Sequence, residues 1–210
     1  MQVFISGAFH GNEVLGTQVA YYLIEYLASN YGKDPLITYL LKHREIIITP
    51  MTNAVGFYEN KREEKTVMLH GGKVKYRDPN RDFPYNNKMN QCMNTIMGRT
   101  VYRLFVENLF VTSITFHGGT NVLSYCWGSK NHLIGHNKAA EAPDHVAFHD
   151  LGLAMVDEAG GDIHKTEQIK KYVFGDMTST VYAVGGGFED WAYGGGWDLA
   201  SDAAMSSCTP

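Results

Sequence analysis

The stretch QVFISGAFHGNEVLG, residues 2–16, joins a short apolar run to the start of a helical pattern. The run predicts a buried strand, and apolar residues recurring every three or four positions over 12–30 predict an amphipathic helix. Between the two, His10 and Glu13 stand three residues apart at the expected strand-to-helix turn. This spacing leaves two alternatives open: a pair of metal ligands, or a polar turn in which Asn12 or Glu13 caps the helix.

The rest of the chain alternates between strand and helix signals. Residues 58–90 are charged and rich in turn-forming residues, so we expect a long loop there. Because no internal repeat or linker is visible, we expect one domain over 1–210 with an α/β fold, built on a mixed, mostly parallel sheet flanked by helices. Apolar runs predict strands buried on both faces at 45–49 and 109–116. Apolar stripes predict helices at 90–108 and 144–160, and one short run predicts a last strand at 180–184.

The bulk composition narrows the class of protein. Hydrophobic residues make up 44% of the chain and charged residues 19%, as in soluble globular proteins. A formal net charge of -4 without any basic run argues against a nucleic-acid partner. No apolar stretch reaches membrane-spanning length, and the N-terminus shows no signal-peptide pattern. We therefore expect a soluble protein, and the sequence leaves its localisation and oligomeric state open.

The three cysteines, Cys92, Cys126 and Cys208, lack the spacing of a CxxC motif. Their odd number argues against a full disulfide framework. Two alternatives remain: a single bridge between Cys92 and Cys208, or three buried thiols.

A third candidate metal ligand, His117, ends the predicted strand 109–116 and precedes Gly118. In parallel sheets, ligands bind beyond the carboxyl ends of the strands, and both His10 and His117 follow a strand. Two histidines and one glutamate leave a fourth zinc position open for water, which is typical of catalytic sites. The alternative is a histidine at the end of a strand that makes one hydrogen bond.

Other histidines compete with this set. The pairs His132/His136 and His145/His149 each have the i,i+4 spacing of neighbours on a helix face. The second pair lies between Asp144 and Asp150, which favours a solvated helix face over a metal site. No HExxH motif occurs in the sequence.

Two further segments carry side chains suited to binding a ligand. The loop DPNRDFPY, 78–85, presents Asn80 and Arg81, and the planar fork of an arginine suits a carboxylate. Its alternative is a surface turn, because Asp-Pro-Asn is favourable turn chemistry. The segment VYAVGGGFEDWAYGGGWD, 181–198, carries Tyr182, whose phenol could reach a site, and its alternative is a glycine-rich surface loop with aromatic core residues.

In combination, five segments resemble, in order, motifs of the M14 family of zinc carboxypeptidases. They are FHGNE for HxxE, ITPMTNAVGF for the P-x-x-N-P-D-G-[YF] segment, DPNRDFPY for D-L-N-R-N-F-P, FHGGTNVLSY for the HGG…SY motif, and VYAVGGGFEDWAY for the tyrosine, glycine-pair and Asp-Trp segment. The resemblance implies the three-layer carboxypeptidase fold and an enzyme that removes C-terminal residues from peptides or proteins. It also implies that His10, Glu13 and His117 bind zinc.

The resemblance implies substrate-binding roles as well. Asn80 and Arg81 would grip the C-terminal carboxylate of the substrate, and Tyr182 would close over it. An arginine that stabilises the oxyanion is expected before the Asn-Arg pair. Arg62 is the first candidate for that role, and Arg77 and Lys75 are the alternatives.

A further position, Glu189, stands where the family often places a residue of the specificity pocket. A carboxylate there would favour substrates that end in lysine or arginine. Alternatively, Glu189 pairs with a structural arginine.

The match breaks at both ends of the chain. The family carries a general-base glutamate on a strand after the Asp-Trp segment, and after Asp190 only Asp198 and Asp202 remain as acids. The family also has a strand and a helix before the strand that leads to HxxE, whereas here that strand begins at residue 2. We therefore expect a partial domain, truncated at both ends, whose general base lies outside this chain. Two other functions stay open: a non-catalytic binding or scaffold protein, and a deacylase of N-acyl amino acids of the aspartoacylase type, which HGNE at 10–13 resembles.

Overall fold

The computed structural model of the protein describes residues 1–67, 74–87, 92–160, 172–195 and 197. The chain divides into two compact units. The described residues of the first unit lie within 1–82 and 93–119, and those of the second lie within 83–92 and 120–197. The expectation of one domain over 1–210 stays a prediction.

The first unit contains the strand-turn-helix segment with which the sequence opens. Its elements, in chain order, are β1 (Gln2–Gly7), α1 (Val14–Asn30), α2 (Pro35–His43), β2 (Glu45–Thr49), α3 (Ala54–Glu59), β3 (Glu64–Val67), β4 (Val74–Arg77), α4 (Ile96–Glu107) and β5 (Phe110–Phe116). The strands predicted at the start of the chain, at 45–49 and at 109–116 are confirmed, and so are the helices that became α1 and α4. Helix α4 begins later than predicted because Thr95 accepts a hydrogen bond from Gly98 N and caps it.

A parallel sheet in the order β2–β1–β5 forms the centre of the first unit. Gly7 at the end of β1 pairs with Phe116 at the end of β5, so the carboxyl ends of these strands lie side by side. The ring of Phe4 on β1 is fully buried and packs on Phe105 of α4, with 5.5 Å between ring centroids. Strands β2 and β5 are less buried than expected, because they form the two edges of this sheet as described.

Among the described residues, the prediction of a long loop over 58–90 is wrong; residues 68–73 and 88–90 lie outside them. Strands β3 and β4 pair there as an antiparallel ladder, with Glu64 opposite Arg77. The strand signal was hidden because Glu64 is a charged residue whose carboxylate is nevertheless buried, where it accepts hydrogen bonds from Ile96 N and Met97 N of α4. Helix α2 was also missed, although Asp34 caps it by accepting a hydrogen bond from Ile37 N.

The second unit contains smaller sheets and an aromatic core. Parallel strands β6 and β9 pair with each other, and β7 and β8 form an antiparallel pair. The helix predicted over 144–160 is confirmed, but 180–184 is not a strand, because α6 ends at Thr180 and the residues after it are irregular. The elements are β6 (Val122–Tyr125), β7 (Leu133–Gly135), β8 (Lys138–Ala139), α5 (His145–Gly160), β9 (Val173–Asp176), α6 (Met177–Thr180) and α7 (Phe188–Gly194).

The expected α/β class with a mixed, mostly parallel sheet is confirmed. Cys92 takes part in a disulfide and Cys126 is a buried free thiol, so the alternative of three buried thiols is wrong. Cys208 lies outside the described residues. Among the helices that the structure describes, none combines the length and the apolar character needed to cross a lipid bilayer.

A close approach of backbones joins the start of α1 to the sheet. A Cβ added to Gly16 would lie 2.5 Å from the carbonyl oxygen of Phe116, and one added to Gly7 would overlap the backbone of Gly16. Only residues without a side chain allow this contact. It holds the turn that carries His10 and Glu13 against the ends of β1 and β5.

We expect Gly16→Ala to lower the free energy of unfolding by about 1–3 kcal/mol, because the added methyl overlaps Phe116 O. At an ordinary helix position, replacing glycine by alanine would instead raise the free energy of unfolding by up to about 1 kcal/mol. The sign of the change therefore shows whether the close contact with Phe116 exists. The measurement is urea denaturation followed by circular dichroism. Gly135→Ala is the control, because nothing lies within 4 Å of a Cβ added there. An unchanged or raised stability of Gly16→Ala would contradict the prediction.

Candidate metal centre

Hydrogen bonds from Thr52 and Asn53 hold the turn between β1 and α1. Thr52 N and Asn53 N donate hydrogen bonds to the carbonyl oxygens of Gly7 and Ala8, at 3.1 and 3.0 Å. Asn53 is 1% exposed, and its side-chain nitrogen Nδ2 donates a hydrogen bond to Phe9 O at 3.3 Å. These contacts fix the backbone immediately before His10.

Three side chains converge where β1 and β5 end. His10 Nδ1 lies 2.8 Å from Glu13 Oε1, His117 Nδ1 lies 2.8 Å from Glu13 Oε2, and the two Nδ1 atoms are 3.2 Å apart. Within the described residues, these side chains form the group whose ligand atoms, all within 4.8 Å of one another, could hold a metal ion. Glu13 occupies the N-cap position of α1, but its side chain makes no capping hydrogen bond. It faces the histidines instead, which favours the ligand alternative over the cap.

Next to His10 lies Asp78, which is not among the predicted site residues. Asp78 Oδ1 lies 3.0 Å from His10 Nε2, and Asp78 Oδ2 accepts hydrogen bonds from Arg62 Nε and Nη2 at 3.0 and 2.9 Å. Arg62 Nη1 also donates to Glu13 Oε1 at 3.1 Å. In the sequence, the signal that pointed to Asp78 was its position as the first residue of DPNRDFPY. Carboxylates that bind the outer nitrogen of a ligating histidine fix its orientation and tautomer.

The ionisable groups of the site stabilise one another's charged forms. Burial opposes protonation of His10, but hydrogen bonds to Asp78 and Glu13 outweigh burial and raise the pKa of His10. Burial would raise the pKa values of Glu13 and Asp78, yet their partners hold the pKa of each carboxyl well below its ordinary value. The partners are His10 and His117 for Glu13, and His10, Arg81 and Arg62 for Asp78. Both acids are therefore ionised at neutral pH, as metal ligands and their supports must be.

The other residues predicted for the site divide between the two units. Asn80 and Arg81 belong to a short 3₁₀ turn directly after Asp78, and Asn80 N donates to Asp78 Oδ1 at 2.9 Å. Asn80 is 6% exposed. Of the alternatives to Arg62, Arg77 pairs with Asp82 at 3.4 Å and Lys75 is exposed on β4. Direct contact with Glu13 therefore favours Arg62 among the three basic candidates.

Tyr182 and Glu189 belong to the second unit. The side chain of Tyr182 is half exposed, and its N–H donates to Met177 O at 3.2 Å. Glu189 lies in the first turn of α7, where its carboxylate packs against Gly187 and Gly128. The roles expected for both residues stay predictions.

The competing histidine pairs do not form metal groups among the described residues. His132 stacks on Trp127 with 3.8 Å between ring centroids, and its Nε2 lies 2.6 Å from the hydroxyl of Tyr85. The rings of His145 and His149 are 5.9 Å apart, and His149 faces Asp150 at 3.7 Å.

A His–Glu–His group beyond the carboxyl ends of two parallel strands defines the class as an α/β protein with a site suited to a catalytic metal. The family model described as zinc carboxypeptidase matches residues 1–208. The chain therefore belongs to the zinc carboxypeptidase family, a family of metalloproteases.

Similar proteins agree with this assignment. Human carboxypeptidase D is 28% identical over 195 residues, which cover 89% of this chain and 14% of that protein. Mouse carboxypeptidase M is 34% identical over 121 residues, which cover 55% of this chain and 26% of that protein. The chain thus spans only a small part of these relatives.

Solved structures confirm the expected carboxypeptidase fold. Thrombin-activatable fibrinolysis inhibitor matches with a TM-score of 0.76 at 18% identity, covering 93% of this chain and 51% of that chain. Carboxypeptidase A from Helicoverpa armigera matches with a TM-score of 0.72 at 19% identity, covering 100% of this chain and 50% of that chain. At these identities the likeness concerns the fold alone.

We expect Asp78→Asn to weaken zinc binding by about 10–100-fold, because His10 loses the carboxylate that orients its ring. The measurement is competition with a chromophoric chelator at neutral pH. Asp144→Asn serves as the control, since that aspartate binds Tyr193 in the second unit. Equal zinc affinity of Asp78→Asn and the native protein would show that Asp78 does not support the site.

Proposed function

We propose that the protein is a zinc-dependent metallocarboxypeptidase that removes C-terminal residues from peptides or proteins. The observation that carries the proposal is the convergence of His10, Glu13 and His117 at the ends of β1 and β5. Family membership supports it, because the family consists of zinc carboxypeptidases.

The donor set of this group fits zinc. Two imidazole nitrogens and one carboxylate suit the ion and leave one of four tetrahedral positions for water. With the Nε2 proton of His10 donated to Asp78, Nδ1 presents its lone pair toward Glu13 and His117. Gly118 N donates to Glu13 Oε2 at 3.1 Å and restricts the orientation of the carboxylate.

Zinc bound there would polarise the scissile carbonyl and lower the pKa of a bound water. The chain's own residues would do the rest. Arg81, with its planar fork, and Asn80 would bind the substrate's C-terminal carboxylate and so orient the last peptide bond. Arg62, held by Asp78, would stabilise negative charge that develops on the carbonyl oxygen. Tyr182 would close over the bound substrate.

The proposal assigns the general base to no residue of this sequence. A missing base lowers the rate by a factor on the order of 10²–10⁴ without removing zinc or carboxylate binding. For this reason, binding and cleavage have to be measured separately.

The test uses the zinc-loaded chain and peptides that differ only in carrying a free C-terminal carboxylate or a C-terminal amide. We expect release of one residue from the acids and not from the amides, detected by mass spectrometry. His117→Ala should lose stoichiometric zinc and the activity together, because it removes one of three ligands. Full zinc content in that variant would show that the ligand set is wrong.

Other outcomes point to other functions. Zinc binding and a preference for acids over amides, with cleavage slower even than the rate reduced on the order of 10²–10⁴-fold by a missing base, would indicate a non-catalytic binding protein. Hydrolysis of N-acyl amino acids in place of peptides would indicate a deacylase.

We further propose a preference for substrates that end in lysine or arginine, supported by the carboxylate of Glu189. This carboxylate is packed against Gly128, where an added Cβ would lie 3.0 Å from Oε1, and against Gly187. A Cβ at position 187 would collide with this carboxylate and one at position 128 would crowd it, so glycine at both positions makes room for the acid.

We expect Glu189→Gln to reduce kcat/KM for peptides ending in arginine by at least about tenfold, since a charge-assisted hydrogen bond is lost. Peptides ending in phenylalanine should change little, which makes them the internal control. Faster cleavage of the phenylalanine peptides by the native chain would refute the preference.

A further inference from the structure

The segment DPNRD, residues 78–82, is held at both of its ends by an aspartate. At the first end, Asp78 contacts His10 and Arg62 of the candidate metal centre. At the second end lies Asp82, whose side chain is fully buried. Asn80 and Arg81, the pair proposed to bind the substrate carboxylate, lie between these two acids.

The carboxylate of Asp82 accepts hydrogen bonds from residues 94 and 95, directly before α4. Oδ1 accepts from Asn94 N at 3.0 Å and from Asn94 Nδ2 at 3.3 Å. Oδ2 accepts from Thr95 N and from Thr95 Oγ1, both at 2.7 Å. Arg77 Nε lies 3.4 Å from Oδ1, and Met93 N donates to the carbonyl oxygen of Asp82 at 2.7 Å.

This pattern needs a carboxylate. Each oxygen of Asp82 accepts from a backbone N–H, and a backbone N–H cannot reverse its role. The family motif D-L-N-R-N-F-P carries an asparagine at this position. In one orientation of its amide the NH₂ group would face Asn94 N, and in the other it would face Thr95 N, so two donors would always meet. In this chain, Asp82 therefore fastens the loop to α4 in a way that its amide analogue cannot.

We propose that Asp82 is a positioning residue that acts through Asn80 and Arg81 and sets their geometry toward the substrate carboxylate. Because Asp78 contacts His10 of the candidate metal centre and Asp82 is hydrogen-bonded at the start of α4, the loop has little freedom to shift relative to the candidate ligands. The inference rests on the proposed function, because it assumes that this pair recognises a carboxylate.

The test compares Asp82→Asn with the matched variant Glu64→Gln. Glu64 also contacts the start of α4 with both carboxylate oxygens, through Ile96 N and Met97 N, but it is not part of the 78–82 segment. Both substitutions replace a buried acid by its amide at the same helix end. An effect on helix stability alone would therefore appear in both.

The readout is the ratio of affinities for a free acid and for its amide, measured by calorimetric titration of the zinc-loaded chain. The probe is an N-acetylated dipeptide that ends in arginine and is N-methylated at its peptide bond to prevent cleavage. We expect Asp82→Asn to lower the acid-to-amide ratio by about tenfold with unchanged zinc content, because the Asn-Arg pair moves and the metal ligands do not. Glu64→Gln should keep the native ratio.

An unchanged ratio in Asp82→Asn, or an equal fall in both variants, would overturn the inference while leaving the proposed function intact. A native chain that binds acid and amide equally would overturn the proposed function and this inference with it. If Asp82→Asn does not fold, Arg77→Gln decides the question, since it removes one partner of the same carboxylate. There the ratio should fall by about threefold, and an unchanged ratio would again overturn the inference.

Discussion

The parallel pairing of β1 with β5 is the constraint on which the candidate metal centre depends. Its register places Gly7 beside Phe116, so the turns that follow the two strands start at the same edge of the sheet. His10 and His117 are 107 positions apart in sequence, yet their Nδ1 atoms come within 3.2 Å. A slip of one residue would turn the side chains of a strand to the opposite face and separate these ligands. The contact of Gly16 with Phe116 O strengthens the same edge, because it places the start of α1 there.

Strong local patterns made part of this arrangement predictable from sequence. The apolar run of β1, the stripe of α1 and the β-branched run of β2 identify these elements without knowledge of their partners. The β3–β4 ladder escaped prediction because Glu64 suggests exposure, whereas its burial depends on the N–H groups of α4. The strand predicted at 180–184 is wrong for the same reason: the strand of this region is β9, at Val173–Asp176, which pairs with β6. Where distant contacts decide the structure, local propensity is a weak guide.

The candidate site shows the same division. His10 and Glu13 are recognisable by their spacing, and His117 by its place at the end of a strand. Asp78 has no spacing of this kind to mark it, because its partner His10 lies 68 positions away, and its one signal is its place at the start of DPNRDFPY. Asp82 binds residues 12 and 13 positions away that become its partners only once α4 is in place. Residues that support ligands or loops are thus visible in the fold rather than in a motif, unless a known family motif happens to include them.

The net charge of the site links metal binding to the recognition of a carboxylate. With both histidines neutral, as ligation requires, the charges of Glu13, Asp78 and Arg62 sum to minus one. A peptide carboxylate approaching this group would meet net repulsion, whereas Arg81, whose charge acts on Asp78, would attract it. A divalent cation changes the sum to plus one, so that the cation and Arg81 act in the same direction on an anionic substrate. Under the proposed function, these charges would favour binding the metal first and the peptide second.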